Sequence, residues 1–106
     1  MTGPTFRQLF DDARRMPEFW EEGAIMAFTE ALAIVMDDQR ITRTELARRL
    51  GTSQAYVTRL LSGNANFTLR TMAKLAYALG MELDVGLRPQ RATALPAESG
   101  GTAAAE

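Results

Sequence analysis

Apolar positions recur at helical intervals over most of this chain and switch to strict alternation only near its end. Phe6, Leu9, Phe10 and Ala13 follow Thr5 and Gln8, which stand in capping-box spacing, so a short amphipathic helix is expected over about residues 6–15. Pro17 closes that segment. A proline is tolerated in the first turn of a helix, so a second helix is expected from Pro17 or Glu18, with Phe19 and Trp20 in its opening turn and Gly23 as an open question. From Ala24 to Met36 only Thr29 and Glu30 are polar, and a helix this apolar needs cover on more than one side. Ile25, Phe28, Leu32, Val35 and Met36 should face the rest of the domain. The opposite side is expected to be covered by the N-terminal helix folding back, with a second copy or another protein as the alternative.

The segment from Ile41 to Gly63 lays out two short helices and a tight turn. Thr42 and Glu45 repeat the capping-box spacing, Leu46, Ala47 and Leu50 form an apolar face, and Gly51 follows where a left-handed backbone ends a helix. Ser53 can cap the second helix. There Val57, Leu60 and Leu61 fall on one side, Ala55 and Arg59 on the other, and Tyr56, Thr58 and Ser62 flank the outward pair. Two helices joined so closely must cross steeply, as in a helix-turn-helix. After the loop from Asn64 to Asn66, Thr68 caps a further helix with Leu69, Met72, Leu75, Ala76 and Leu79 as its stripe and Gly80 at its end. Met81, Leu83, Val85 and Leu87 then alternate with Glu82, Asp84, Gly86 and Arg88, which predicts a strand over 81–89. No second strand accompanies it. Two arrangements stay open: pairing with the same strand of a twin subunit, or an extended tail lying on its own domain.

The runs ELARRLG, TSQAYVTRLLSG and TLRTMAKLAYALG, in this order and spacing, resemble the helix-turn-helix of the phage repressor and Cro family, the Xre-type regulators. The resemblance covers roughly Ala24 to Gly80. It implies an all-α, compact helical bundle of the lambda-repressor-like kind that binds double-stranded DNA. The expected organisation is an accessory helical segment over 1–22, a helix-turn-helix domain over 23–80, the strand over 81–89 as a possible dimerisation element, and a disordered tail over 90–106, poor in bulky apolar residues. Leu61 departs from the family, whose members often carry a polar residue there; on the helical wheel it turns inward beside Val57.

Composition narrows the functions available. A chain of 106 residues holds one modest core. Without cysteine there is no thiolate metal site, and without histidine the commonest metal ligand and general base are missing, so neither a cofactor nor a metal is expected. No start segment reads as a signal peptide, and the apolar stretch from Ala24 to Met36 is shorter than the ~20 residues that cross a bilayer. A cytoplasmic protein without membrane contact is expected. The acidic neighbours Asp11 and Asp12, and Glu21 and Glu22, diverge by about 100° on a helix and cannot converge as a catalytic dyad, so an enzyme is not expected.

The formal net charge of −1 hides a strong segregation. Residues 1–39 carry a net −5, and residues 40–79 carry +6, with Glu45 the one acid among Arg40, Arg43, Arg48, Arg49, Arg59, Arg70 and Lys74. Phosphate neutralisation supplies most non-specific DNA affinity, so this local excess counts and the overall balance does not.

A helix entering the major groove presents its first turns and outward face, here Gln54, Ala55, Thr58 and Arg59. Arg59 is the foremost candidate for base readout, because its planar fork can donate twice to one guanine. Gln54 can pair with adenine or hold a phosphate, Ala55 can touch a thymine methyl, and Tyr56 and Thr58 reach toward the backbone unless Tyr56 packs internally. The resemblance gives Arg43 a phosphate-anchoring role at the start of its helix, with Thr44 beside it and Ser53 at the next helix start. It places Asn64, Asn66 and Arg70 against the sugar-phosphate backbone beyond the groove. Arg48 and Arg49 fit a solvated surface better. The expected protein is a dimeric, sequence-specific regulator, a repressor reading a pseudo-palindromic operator. The alternative is an antitoxin that controls its own operon and binds a toxin protein. A pure interaction module without DNA binding would not need Arg43, Gln54 and Arg59.

Overall fold

The computed structural model describes residues 3–91. Five helices follow in order: α1 (Phe6–Ala13), α2 (Pro17–Gln39), α3 (Arg43–Leu50), α4 (Gln54–Leu60) and α5 (Leu69–Ala78). Their starts are chemically marked. Thr5, Thr42, Ser53 and Thr68 each accept a hydrogen bond from the backbone N–H three residues on, which satisfies one of the orphan donors of a first turn. In α1 the box is complete, since the Gln8 side chain also accepts from Thr5 N–H at 2.9 Å. In α3 only half forms: Thr42 caps Glu45, while the Glu45 carboxylate turns to Arg48 and Arg49.

The core is built where α3, α4 and α5 meet the C-terminal half of α2. Leu32 and Met36 of α2, Leu46 and Ala47 of α3, Val57 and Leu60 of α4, and Leu75 and Leu79 at α5 are its buried members. Phe28, Val35, Ile41, Leu50, Leu61 and Phe67 close its edges. Phe28 meets Phe67 edge-on, ring centroids 4.9 Å apart, which fastens α2 to the loop before α5. The Gln39 amide donates to the Leu79 carbonyl at 2.8 Å and fastens the two C-terminal ends together. Leu61 turns inward as its wheel position requires. Leu69 does not: at the first turn of α5 it stays 59% exposed, and the stripe enters the buried core at Leu75 and Leu79.

One open question closes and two expectations change. Gly23 does not interrupt α2, which runs unbroken for 23 residues, so the border between residues 22 and 23 falls inside a helix. The N-terminal helix does not fold back over α2. Helix α1 meets α2 through Phe10 against Phe19, ring centroids 5.3 Å apart, and buries none of its own residues. A corner holds it there: Trp20 Nε1 donates to the Arg14 carbonyl at 2.7 Å while the Arg14 guanidinium lies over the Trp20 ring. The strand expected over 81–89 does not form either, and no strand occurs among the described residues. A strand needs a ladder partner and this single chain offers none. Residues 81–91 instead run extended along α2. Met81–Asp84 face Phe28, Ala31, Leu32 and Val35, and Arg88–Arg91 face Phe19, Trp20, Gly23, Ala24 and Ala27. The expected disordered tail, from residue 92 on, lies outside the described residues.

Arg40 ends α2 in the left-handed region, at φ 57°. That conformation strains any residue with a Cβ, and glycine is the usual occupant of such a helix end. Arg40→Gly is therefore expected to raise stability by about 0.5 to 1 kcal/mol, measured by denaturant unfolding, with the flexibility glycine adds to the unfolded chain keeping the gain small.

Candidate nucleic-acid interface

The turn between α3 and α4 sets the site. Gly51 adopts φ 70°, which lets the chain leave α3 while its N–H still reaches the Ala47 and Arg48 carbonyls, and Thr52 N–H donates back to the Ala47 carbonyl at 2.9 Å. Ser53 then caps α4 within two residues. Val57 is fully buried and Leu60 nearly so, and this inner ridge fixes the rotation of α4 about its axis. Fixing the inner ridge fixes the outer one. Gln54, Ala55, Thr58 and Arg59 are all exposed on the opposite side.

Two contacts order that surface further. The Thr44 hydroxyl donates to Gln54 Oε1 at 3.1 Å, so the first turn of α3 and the first residue of α4 present their polar groups together. The Arg59 guanidinium lies over the Tyr56 ring at 5.1 Å, which orders a long side chain that would otherwise sample many rotamers. Tyr56 is half-buried against the core, so the ring is a fixed platform. It serves the internal packing role and meets Arg59 at once.

The remaining candidates frame this face. Arg43 and Thr44 are exposed in the first turn of α3. The Ser53 hydroxyl is committed to Tyr56 N–H at 3.1 Å, so its first task is capping. Asn64 and Asn66 are exposed in the loop after α4, and Arg70 is exposed in the first turn of α5. That loop is shaped by Ser62, whose hydroxyl donates to the Arg59 carbonyl at 2.7 Å and accepts from Asn64 N–H at 3.2 Å. Gly63, at φ 88°, completes it; a Cβ there would also meet Met26 Sδ at 3.1 Å. Sequence reasoning placed Ser62 only on the flank of the wheel. Its position before a loop glycine was the available signal. Lys74, one of the basic residues of segment 40–79, lines a recess of about 130 Å³ with Thr52, Tyr56 and Thr71. Nothing along the sequence links those positions.

Arg48 and Arg49 are turned to internal use. Both guanidinium groups bond the Glu45 carboxylate, Arg48 at 2.5 Å and Arg49 at 2.9 Å, and Arg49 also donates to the Ala78 carbonyl at 2.9 Å, which ties α3 to α5. The Arg48 hydrogen bond, then that of Arg49, pulls the Glu45 carboxyl from its ordinary 4.5 down to about 2. A depressed carboxyl favours the folded state above its unfolded value and loses that contribution as pH falls toward 2. The ion cluster is therefore intact at neutral pH.

A family model for the Cro/C1-type helix-turn-helix DNA-binding domain matches residues 31–84, half of the chain. The chain belongs to that family. The match begins inside α2 and takes in α3, α4, α5 and the start of the extended segment, so the site above lies wholly within the Cro/C1-type domain. No match was found among curated proteins or among solved structures. Among the described residues, no helix is long and apolar enough to cross a membrane.

Proposed function

We propose that this DNA-binding Cro/C1-type regulator acts as a dimeric repressor that reads a pseudo-palindromic operator, one α4 per half-site. The observation that carries the reading is the exposed ridge of α4, where Gln54, Ala55, Thr58 and a ring-stacked Arg59 face outward from a fully buried Val57. In this account Arg59 reads a guanine and Gln54 an adenine edge or phosphate, while Ala55 meets a thymine methyl. Tyr56 and Thr58 lie toward the phosphates at the sides of the groove. Arg43, Thr44 and Ser53 anchor one backbone strand at the helix starts, and Asn64, Asn66 and Arg70 hold the other.

Titration of a duplex of unrelated sequence across a salt series tests the electrostatic half of the reading. Affinity is expected to fall linearly on logarithmic axes, and Arg43→Ala should reduce the slope by about 1. A slope near zero, unchanged by Arg43→Ala, would place the phosphate contacts elsewhere.

A further inference from the structure

The recess of about 130 Å³ between α4 and α5 has no part in the groove contacts above. Its floor is apolar, with Leu60 and Leu75 buried. Its rim carries Thr52, Tyr56, Thr71 and Lys74, each able to donate a hydrogen bond. The Thr68 hydroxyl donates to Thr71 Oγ1 at 3.0 Å, which leaves the Thr71 proton available to another acceptor. The Lys74 ammonium and the hydroxyls of Thr52 and Tyr56 have no hydrogen-bond or ion-pair partner among the described residues. No acid lines the recess, and the one acid of residues 40–79, Glu45, is engaged by Arg48 and Arg49. Donors around an apolar floor, with one positive charge among them, suit an anion.

We infer that this recess seats one backbone phosphate of the bound duplex, with Lys74 supplying the charge and Thr52, Tyr56 and Thr71 the hydrogen bonds. The inference rests on the DNA-binding reading above and adds a contact to it. Its position is continuous with the reading face, because Tyr56, whose ring carries the Arg59 guanidinium at 5.1 Å, forms one wall. Lys74 follows Arg70 by one turn of α5, about 6 Å, close to the spacing of successive phosphates on one strand. The two residues also border a wider groove together, so the seat takes the phosphate next to the one held by Arg70. Such a contact recognises oxygens that every nucleotide shares, and it adds affinity and register without sequence preference. Tyr56 thereby has two tasks: its ring orders the arginine that reads a base, and its hydroxyl meets the backbone beside it.

Two measurements on the full chain test this. In salt titrations Lys74→Gln should weaken selected and unrelated duplexes alike, by about tenfold, and reduce the logarithmic slope by about 1, with unchanged melting because Lys74 is exposed. Tyr56→Phe, which keeps the ring beside Arg59, should weaken both duplexes by about threefold without changing the slope. The deciding experiment replaces the phosphates of a duplex selected from a random pool, one at a time, by neutral methylphosphonates. One position is expected at which wild type loses affinity and Lys74→Gln loses none, adjacent to the position at which Arg70→Ala is insensitive in the same way. If Lys74→Gln keeps every sensitivity of wild type, the inference falls and the DNA-binding reading stands. If no position matters to either protein and the salt slope is near zero, both fall. Millimolar inorganic phosphate that raises the melting temperature of wild type but not of Lys74→Gln, with no Lys74-dependent position in the duplex, would assign the recess to a free anion and also overturn the inference.

Discussion

Leu46→Ala is expected to destabilise the protein by about 2 to 5 kcal/mol, the largest single effect we foresee. Leu46 is completely buried, at the place where α3 packs on both α4 and α5. Among the described residues eight apolar side chains make up the buried core, so a cavity at its centre has few neighbours able to collapse into it. Small domains have about 5 to 15 kcal/mol in total, so such a loss leaves a protein near its unfolding threshold at growth temperature. Denaturant unfolding measures it. A change below about 1 kcal/mol would mean that α3 is not seated as described. The consequence reaches function, because the same packing that buries Leu46 and Val57 sets the rotation of α4 and hence which side chains face outward.

Arg59→Ala should cost about 1 to 3 kcal/mol of specific binding and relax the sequence requirement at one base pair, while binding to unrelated duplex changes little. The Tyr56 ring sharpens the expectation. An arginine already stacked at 5.1 Å surrenders less rotamer freedom on binding, so its full donor fork counts toward discrimination. Arg43→Ala should behave differently, weakening specific and unrelated duplexes alike. Equal losses for the two variants on both duplexes would show that α4 does not present the reading face.

The helix-turn-helix was readable from the sequence because each of its devices is local. Thr42, Gly51 and Ser53 act on backbone groups within a few residues, and the inner ridge of α4 follows from a period of 3.6 residues. The outward set Gln54, Ala55, Thr58 and Arg59 came with it, as the complement of Val57 and Leu60. What failed depended on partners distant in sequence. Period-two alternation over Met81–Arg88 records which side chains share a side, and says nothing of whether a ladder partner exists. Amphipathicity in α1 likewise showed that a surface needs cover without showing where the cover is. Glu45 matched the capping-box pattern, but two arginines one turn on compete for its carboxylate more strongly than a backbone N–H does. The stacking of Arg59 on Tyr56 lay within reach, since residues three apart share a helix face, yet the wheel alone assigned Tyr56 to the flank.

The central claim is that two copies of α4 read a symmetric site. Selection of bound duplexes from a random pool, followed by anisotropy titration of the selected duplex and a scrambled one, tests it most directly. A consensus with two inverted half-sites whose centres lie about 34 Å apart, one helical turn, bound about 10³-fold or more tighter than the scrambled duplex, is the predicted result. Enrichment of no sequence, with equal affinity for both duplexes, would contradict it.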